Sequence, residues 1–372
     1  MDGPKSSGSR LAEHPRAMTM LATVCVEHAP SLTTNCVVCA VRGLTLGLSA
    51  LGRYLKEPGS NGLLLIGNPR ASTLFFCDHG NRRIGRLGVL QTTDGRVQSQ
   101  AATVTVTGSA TIDGAIQRLN SPNDLAQAPD GSIWFTDPSY GLTQCQSAAA
   151  DGEPPSTCIS GEKSSARETN IHGVYRVSPR GENEVAKLML RGMAKPNGIA
   201  FSADGKRLFV SNSGGTDSHV KVWDLDTVEH GTTKTTSIVG GEAAGKRIME
   251  AGDVKDGSGK AVFRDWVFGR HHRTIRQQYA EAGHAEVAAP WDIHGAGGVD
   301  GMATDRDGRL WAACPGGVCV FDVAGQLLGT VATSSRVGNC MLGGDGWLYI
   351  AATSELLRVK TTLGDTGPYS TF

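Results

Sequence analysis

One unit recurs along this chain: an Asn or Asp, a short apolar run, a tight turn, and a second run centred on an aromatic. The fullest copy is Asn120-Ser-Pro-Asn-Asp-Leu-Ala-Gln-Ala-Pro-Asp-Gly-Ser-Ile-Trp-Phe-Thr-Asp137, with Asn123 as opener and Trp134 as aromatic. Asn61 opens another copy, whose return run holds Phe75. Asn197, Asp300 and Asn339 open three more. These turn at Asp204-Gly205, Asp307-Gly308 and Asp345-Gly346 and return through Phe209, Trp311 and Tyr349. In all five the aromatic follows the opener by 10 to 14 residues. Asp-Gly between apolar runs marks a hairpin, because Gly tolerates positive φ.

A strand-turn-strand unit cannot bury its apolar face alone, so copies must stack or close on themselves. The openers are separated by 62, 74, 103 and 39 residues. A four-stranded propeller blade takes roughly 40–45 residues, so the longer intervals hold a blade plus insertions. The expected fold is therefore all-β, a β-propeller whose blades each set their first strand against a central channel. Asn61, Asn123, Asn197, Asp300 and Asn339 would then converge on the axis near one rim. Taken singly, each is an ordinary turn residue, since Asn and Asp favour turns. Five copies in phase favour the ring.

Composition narrows the function. Among 372 residues there are 49 Gly, which suits many short strands and turns, and 36 basic residues balance 36 acidic ones. With no long basic patch, nucleic acid is not an expected partner. No run of about 18 apolar residues predicts a membrane span. Nine cysteines are too few for a dense disulfide scaffold and lean towards a reducing, cytosolic setting. Cys36-Val-Val-Cys39 has no second pair at zinc spacing. Cys77, Cys314 and Cys340 read as small core residues. Cys145 and Cys158 bracket a polar loop, and an oxidising compartment would allow them to bridge.

Three regions follow. Residues 1–60 do not share the repeat and form a divergent N-terminal segment; 43–55 reads equally as helix or strand. Residues 61–360 form the propeller. Within it, 143–170 is an exposed insertion, Ile171 to Val177 an outer strand, and Val220 to Asp224 a further strand. Residues 226–298 are the least legible, with the basic cluster Arg270-His271-His272-Arg273 and a possible helix over 274–282. Gly240 to Arg247 nearly spells a phosphate loop, but Arg247 stands where Ser or Thr should hold magnesium. Residues 361–372 are a polar tail.

At Arg118-Leu-Asn-Ser-Pro-Asn-Asp124, continued by Asp130-Gly-Ser-Ile-Trp-Phe-Thr-Asp-Pro-Ser-Tyr-Gly141, the chain resembles the gluconolactonase family, which includes regucalcin and luciferin-regenerating enzymes. Asp78-His-Gly-Asn-Arg-Arg83, Lys195-Pro-Asn-Gly198 and Asp300-Gly-Met302 agree with it. The resemblance covers about 61–360. It implies a six-bladed propeller with one divalent metal on the channel axis and hydrolysis of sugar lactones. Carried over by position, Asn123, Asn197 and Asp300 match metal ligands, and Asp300 also matches the proposed catalytic base. One departure stands out. Family members carry a Glu-Gly-Pro motif in the first blade, whose Glu is a further ligand, and nothing before Asn61 matches it except, loosely, Glu27. The first blade is thus expected to be divergent or incomplete.

Amide oxygens and a carboxylate are hard donors. They suit calcium first, with magnesium, manganese or zinc as alternatives. Arg118 and Asn120 are the candidates for substrate contact, although Arg118 reads more readily as a solvated loop residue. Asp124 either orients Asn123 or bonds its own turn. His79 reads as a buried, hydrogen-bonded histidine. Asn61 and Asn339 line the channel, and His294 precedes a rim position. No Gly-x-Ser-x-Gly elbow supports a serine hydrolase. The leading expectation is a metal-dependent lactonase taking a small-molecule lactone. The alternatives are a non-catalytic binding propeller with a degraded metal site and a phosphoester or organophosphate hydrolase.

Overall fold

The computed structural model describes residues 60–68, 71–91, 97–99, 103–145, 158–213, 219–230, 233–239, 246–250, 299–314, 317–333, 336–343, 346–352 and 355–362. Glu27, Cys36, Cys39 and the 43–55 stretch lie outside the described residues. So do 240–245 of the near phosphate loop, the basic cluster, the 274–282 helix, His294 and the tail beyond 362.

The repeated turn forms as its sequence requires. Gly131, Gly205, Gly308 and Gly346 have φ of 82°, 69°, 81° and 80°. The N–H of each closes the turn by donating to the carbonyl three residues earlier, at Ala128, Ser202, Asp305 and Gly343. An L side chain in that backbone region is strained, so Gly fixes where each hairpin reverses.

Five main sheets follow in chain order. The first holds β1 (Ser60–Asn68), β2 (Ala71–Asp78), β3 (Arg83–Gln91) and β4 (Val97–Ser99), with β5 (Val104–Thr107) also on β3. The second contains β6 (Ser109–Ile112), β7 (Ala115–Arg118), β8 (Leu125–Gln127), β9 (Ile133–Asp137), β12 (Gly173–Val177) and β13 (Val185–Leu190), ordered β7-β6-β13-β12-β9-β8. Between β9 and β12, β10 (Gln144–Cys145) and β11 (Cys158–Ile159) pair as a small ladder of their own. The third sheet holds β14 (Pro196–Phe201), β15 (Arg207–Asn212), β16 (His219–His230) and β17 (Thr233–Ile238), with β18 (Lys246–Glu250) on β16. The fourth is β19 (Met302–Thr304), β20 (Leu310–Cys314), β21 (Gly317–Phe321) and β22 (Leu327–Ala332). The fifth is β23 (Val337–Leu342), β24 (Trp347–Ala352) and β25 (Glu355–Lys360). All these pairings are antiparallel except β6 with β13. The innermost strands touch in chain order: β1 with β8, β8 with β14, β14 with β19, β19 with β23. The result is an all-β, propeller-like arrangement with five blades among the described residues.

Packing is by faces. Successive residues of a strand point to opposite sides of the sheet, so a sheet wedged between two others is apolar on both. Leu208 and Val210 of β15 pack back on the second sheet, while Phe209 packs forward on the fourth. In β20, Leu310 and Ala312 face back, and Trp311 and Ala313 face forward. The repeat aromatics share one direction: Phe75, Trp134, Phe209 and Trp311 each enter the core shared with the next sheet. Trp134 meets Phe201 edge-on at 5.7 Å, joining the second and third sheets. Cys77, Cys314, Cys319 and Cys340 are buried thiols in these cores. Among the described residues no helix is long and apolar enough to cross a membrane.

Candidate functional site

The openers are brought together by hydrogen bonds to their backbones between blades. Gly62 N–H donates to Asn123 O at 2.7 Å, and Gly301 N–H donates to Gly338 O at 2.9 Å. Thr136 Oγ1 donates to Asn197 O at 2.6 Å, and Ser211 Oγ donates to Asp300 O at 2.9 Å. The inner strands approach so closely that the residue after the opener has little room. A Cβ on Gly198 would lie 2.3 Å from Asp300 O, and one on Gly301 would lie 2.0 Å from Asn339 Cγ. Glycine at these positions therefore reflects crowding rather than turn geometry, by the neighbouring backbone at Gly198 and by the Asn339 side chain at Gly301.

Asn123, Asn197 and Asp300 are each 4 % exposed. The Asn197 amide nitrogen donates to Ser213 Oγ at 3.0 Å, which turns its oxygen the other way. Asp300 Oδ2 lies 3.7 Å from Arg336 Nη2, on a side chain about a third exposed. Asn339 Oδ1 accepts from Cys340 N at 2.7 Å. Asn61 is half-buried at the start of β1.

Asp124 resolves its two sequence readings by doing more than either. Its carboxylate accepts from Leu125 N at 2.9 Å in its own strand and from Ile199 N at 3.3 Å in β14. It also bonds the Asn339 side chain. A Cβ on Gly62 would come within 2.7 Å of its Oδ1. One carboxylate thus touches innermost strands of the first, third and fifth sheets from its place in the second. Burial pushes it up to about 7, held back by these donors.

The turn that leads into Asn123 is held from three sides. Asp137 accepts from Asn120 N at 2.7 Å and Ser121 N at 2.8 Å. Arg82 Nε donates to Leu119 O at 2.7 Å and Asn120 O at 2.9 Å, and its Nη1 donates to Ala166 O at 2.8 Å. His79 Nδ1 donates to Pro122 O at 3.1 Å, so this histidine is buried and bonded as expected. Asp137 is completely enclosed, and burial raises it to about 7 against the pull of the two amides and Arg82.

Of the two side chains expected at substrate, Arg118 is exposed at the end of β7, with Nη2 3.5 Å from Asn81 O. Asn120 is fully buried, and its Nδ2 donates to Ile171 O at 2.9 Å. The insertion also folds inward: Gly161, Ser164 and Thr169 are buried. Sequence reasoning missed Arg82, Arg336, Thr136 and Ser211. Only the last two left a signal. Two residues past each repeat aromatic stands a small residue, Cys77, Thr136, Ser211, Ala313 or Ala351.

Chemically, the openers offer amide oxygens and one carboxylate, a donor set suited to a hard cation. Among the described residues, no three His, Cys, Asp or Glu side chains gather as a metal cluster, so a cation would depend on the amides. Asn197, oriented by Ser213, fits that role. Arg336 beside Asp300 opposes it by placing a positive charge against the one matched carboxylate.

The chain is similar to known proteins over most of its length. Residues 53–258 and 270–354 match the model of the SMP-30/Gluconolactonase/LRE-like region. A gluconolactonase from Zymomonas mobilis is 28% identical over 310 residues, covering 82% of this chain. The chain spans 64% of that relative's length. Among solved structures, a Xanthomonas campestris gluconolactonase is 26% identical, with TM-score 0.46 over 81% of this chain and 71% of its own. A calcium-binding regucalcin from Agrobacterium tumefaciens is 14% identical, with TM-score 0.42 over 79% and 82%. With matched segments covering most of its length, this chain belongs to the SMP-30/gluconolactonase/LRE-like family.

Proposed function

We propose that the chain is a divalent-cation-dependent lactonase acting on sugar lactones. The observation that carries this reading is the burial of Asn123, Asn197 and Asp300 at the openings of three consecutive innermost strands, in a family that includes gluconolactonases. These three would hold the cation, calcium by the hardness of the donors, with magnesium, manganese or zinc as alternatives. A cation bound there would polarise the lactone carbonyl and stabilise the tetrahedral oxyanion. Asp300 takes a proton from water as the water oxygen bonds to the carbonyl carbon. The ring C–O bond then breaks, the proton passes to the departing alkoxide, and a hydroxy acid leaves. Arg118, exposed on the strand leading to the turn, would reach substrate hydroxyls, and Asn120 would act through the turn it anchors.

The same reading gives the ring a sixth blade. The outward faces of the fifth and first sheets carry half-buried Trp347, Tyr349, Leu63 and Leu65. Each other sheet face in the series meets a neighbour. Residues before Ser60 would supply the additional blade and with it any further carboxylate on the axis.

Purified protein should open gluconolactone with added calcium, and Asp300→Ala should abolish turnover. A protein that binds the cation but opens no lactone in a broad panel would remove the reading. The Arg336 ion pair favours a second reading, in which the guanidinium has replaced the cation and the propeller binds ligands without catalysis. That reading expects no specific divalent-ion binding by calorimetry.

A further inference from the structure

The register of β10 and β11 sets Gln144 opposite Ile159 and Cys145 directly opposite Cys158. Residues facing each other in an antiparallel ladder share one face of it. Their Cα atoms lie about 4.5 Å apart at a non-hydrogen-bonded position and about 5.5 Å apart at a hydrogen-bonded one. A disulfide accepts Cα separations of roughly 4.4–6.8 Å. Either position therefore falls within the Cα range that a disulfide accepts. We infer that Cys145 and Cys158 form a covalent modification site, an intramolecular disulfide that closes the neck of the excursion between β9 and β12.

The site is separate from the other described cysteines. Cys77, Cys314, Cys319 and Cys340 are buried inside the blade cores, and burial pushes the Cys340 thiol up to about 12. A thiol that does not ionise is a poor partner for exchange.

The neck is joined to the candidate site by its own contacts. Just inside the ladder, the 3-10 turns Tyr140–Leu142 and Gly161–Lys163 meet. Gly161 N–H donates to Thr143 Oγ1 at 3.1 Å, and a Cβ on Gly161 would lie 1.8 Å from Ser139 O. Lys195 Nζ pairs with Glu162 at 3.2 Å and lies 5.2 Å from the centre of the Tyr140 ring. Gly141 N–H donates to Ser121 Oγ at 3.0 Å, two residues before Asn123. A crosslink at 145 and 158 would hold the two arms of the neck together behind the turn that carries Asn123.

The step balances as a thiol–disulfide exchange with a small-molecule or protein disulfide. Each cysteine gives up its proton, and one S–S bond forms between them. The two electrons reduce the incoming disulfide, which leaves as two thiols carrying those protons.

The test uses the full-length protein, equilibrated with oxidised glutathione, alkylated without reduction and mapped by peptide mass spectrometry. The expected product is a single Cys145–Cys158 link, with both residues alkylated only after reduction. The unfolding midpoint should fall by a few degrees on reduction. Cys145→Ser should unfold at the reduced protein's midpoint and show no redox shift. Free alkylation of both cysteines after oxidation would overturn the inference. So would separate glutathione adducts on each, or a link from either to Cys36 or Cys39. None of these outcomes depends on lactone turnover, so failure of the crosslink and failure of the proposed activity remain distinguishable.

Discussion

Arg336 and Asp300 are separated by 36 residues in the chain, and their 3.7 Å contact sets a competition at the proposed cation site. Anything that binds beside Asp300 must share the carboxylate with a guanidinium or displace it. The arginine is about a third exposed, so water screens the pair. Removing it should be worth about 1 kcal/mol to a cation, roughly five-fold in Kd. Arg336→Gln is therefore expected to tighten calcium binding by that factor in a calorimetric titration; unchanged or weaker affinity would place Arg336 outside the site. Asp137 gives a pH prediction at the same scale. Its folded value is about 7, against about 3.9 for an unfolded aspartate. Between those values the folded carboxyl keeps a proton that the unfolded chain releases. Stability therefore falls as pH rises from about 4 to about 7. Asp124, also raised to about 7, acts with the same sign. Asp137→Asn should flatten part of that slope in denaturant midpoints taken from pH 5 to 8, while lowering stability throughout, because its amide would present a donor to the Asn120 or Ser121 N–H. An unaltered slope would mean that Asp137 stays ionised across the range. Asn123, Asn197 and Asp300 could be singled out as openers because each sits in phase in a repeat, and the structure buries all three; their role at a cation is the proposal. Arg82 and Arg336 could not be singled out. Arg82 spends its donors on carbonyls 37 to 84 residues away, and no local pattern encodes a partner at that distance.

At the scale of the strand, what the repeat encodes is a two-sided wedge. The aromatic that follows each opener was visible, and so was the Asp-Gly turn. The direction of that aromatic was not, because only the assembled ring shows that all four point towards the next sheet. The strand over Ile171 to Val177 appeared as β12, and the strand over Val220 to Asp224 proved part of the longer β16. The β6–β7 hairpin escaped notice. It extends the second sheet through a parallel pairing with β13, more than 70 residues later, and its sequence does not show which edge it will join. The close approach of inner strands yields the element's own prediction. Gly301→Ala would drive a Cβ to 2.0 Å from Asn339 Cγ, so β19 and β23 must part or Asn339 must move. Overpacking of this kind costs roughly 1–3 kcal/mol, measurable as a lowered denaturant midpoint. Gly329, whose added Cβ would meet nothing within 4 Å, is the control: Gly329→Ala should lose far less.

For the molecule as a whole, what matters is how the series of sheets ends. Among the described residues, four cores bind five sheets in series, and such a series leaves two outer faces. On β24, Leu348 and Ile350 are fully buried against the fourth sheet, while Trp347 and Tyr349 on the opposite face are only half-buried. The Tyr349 position is the one that, in every other copy, carries the aromatic of a shared core. On the proposed six-bladed reading, a further neighbour would cover this face, between the fifth and first sheets. The openers announced a ring but could not count its blades, because the segment before Asn61 lacks the motif by which blades were counted. Deleting residues 1–59 provides the test. If they complete the ring, the shortened chain should expose both faces, bind a hydrophobic dye strongly and unfold at a lower midpoint, since an uncovered apolar face of this kind promotes association. It should also bind calcium more weakly if that segment brings a carboxylate to the axis. A shortened chain that stays monomeric, unfolds at the full-length midpoint and binds calcium equally well would mean that five blades close without it.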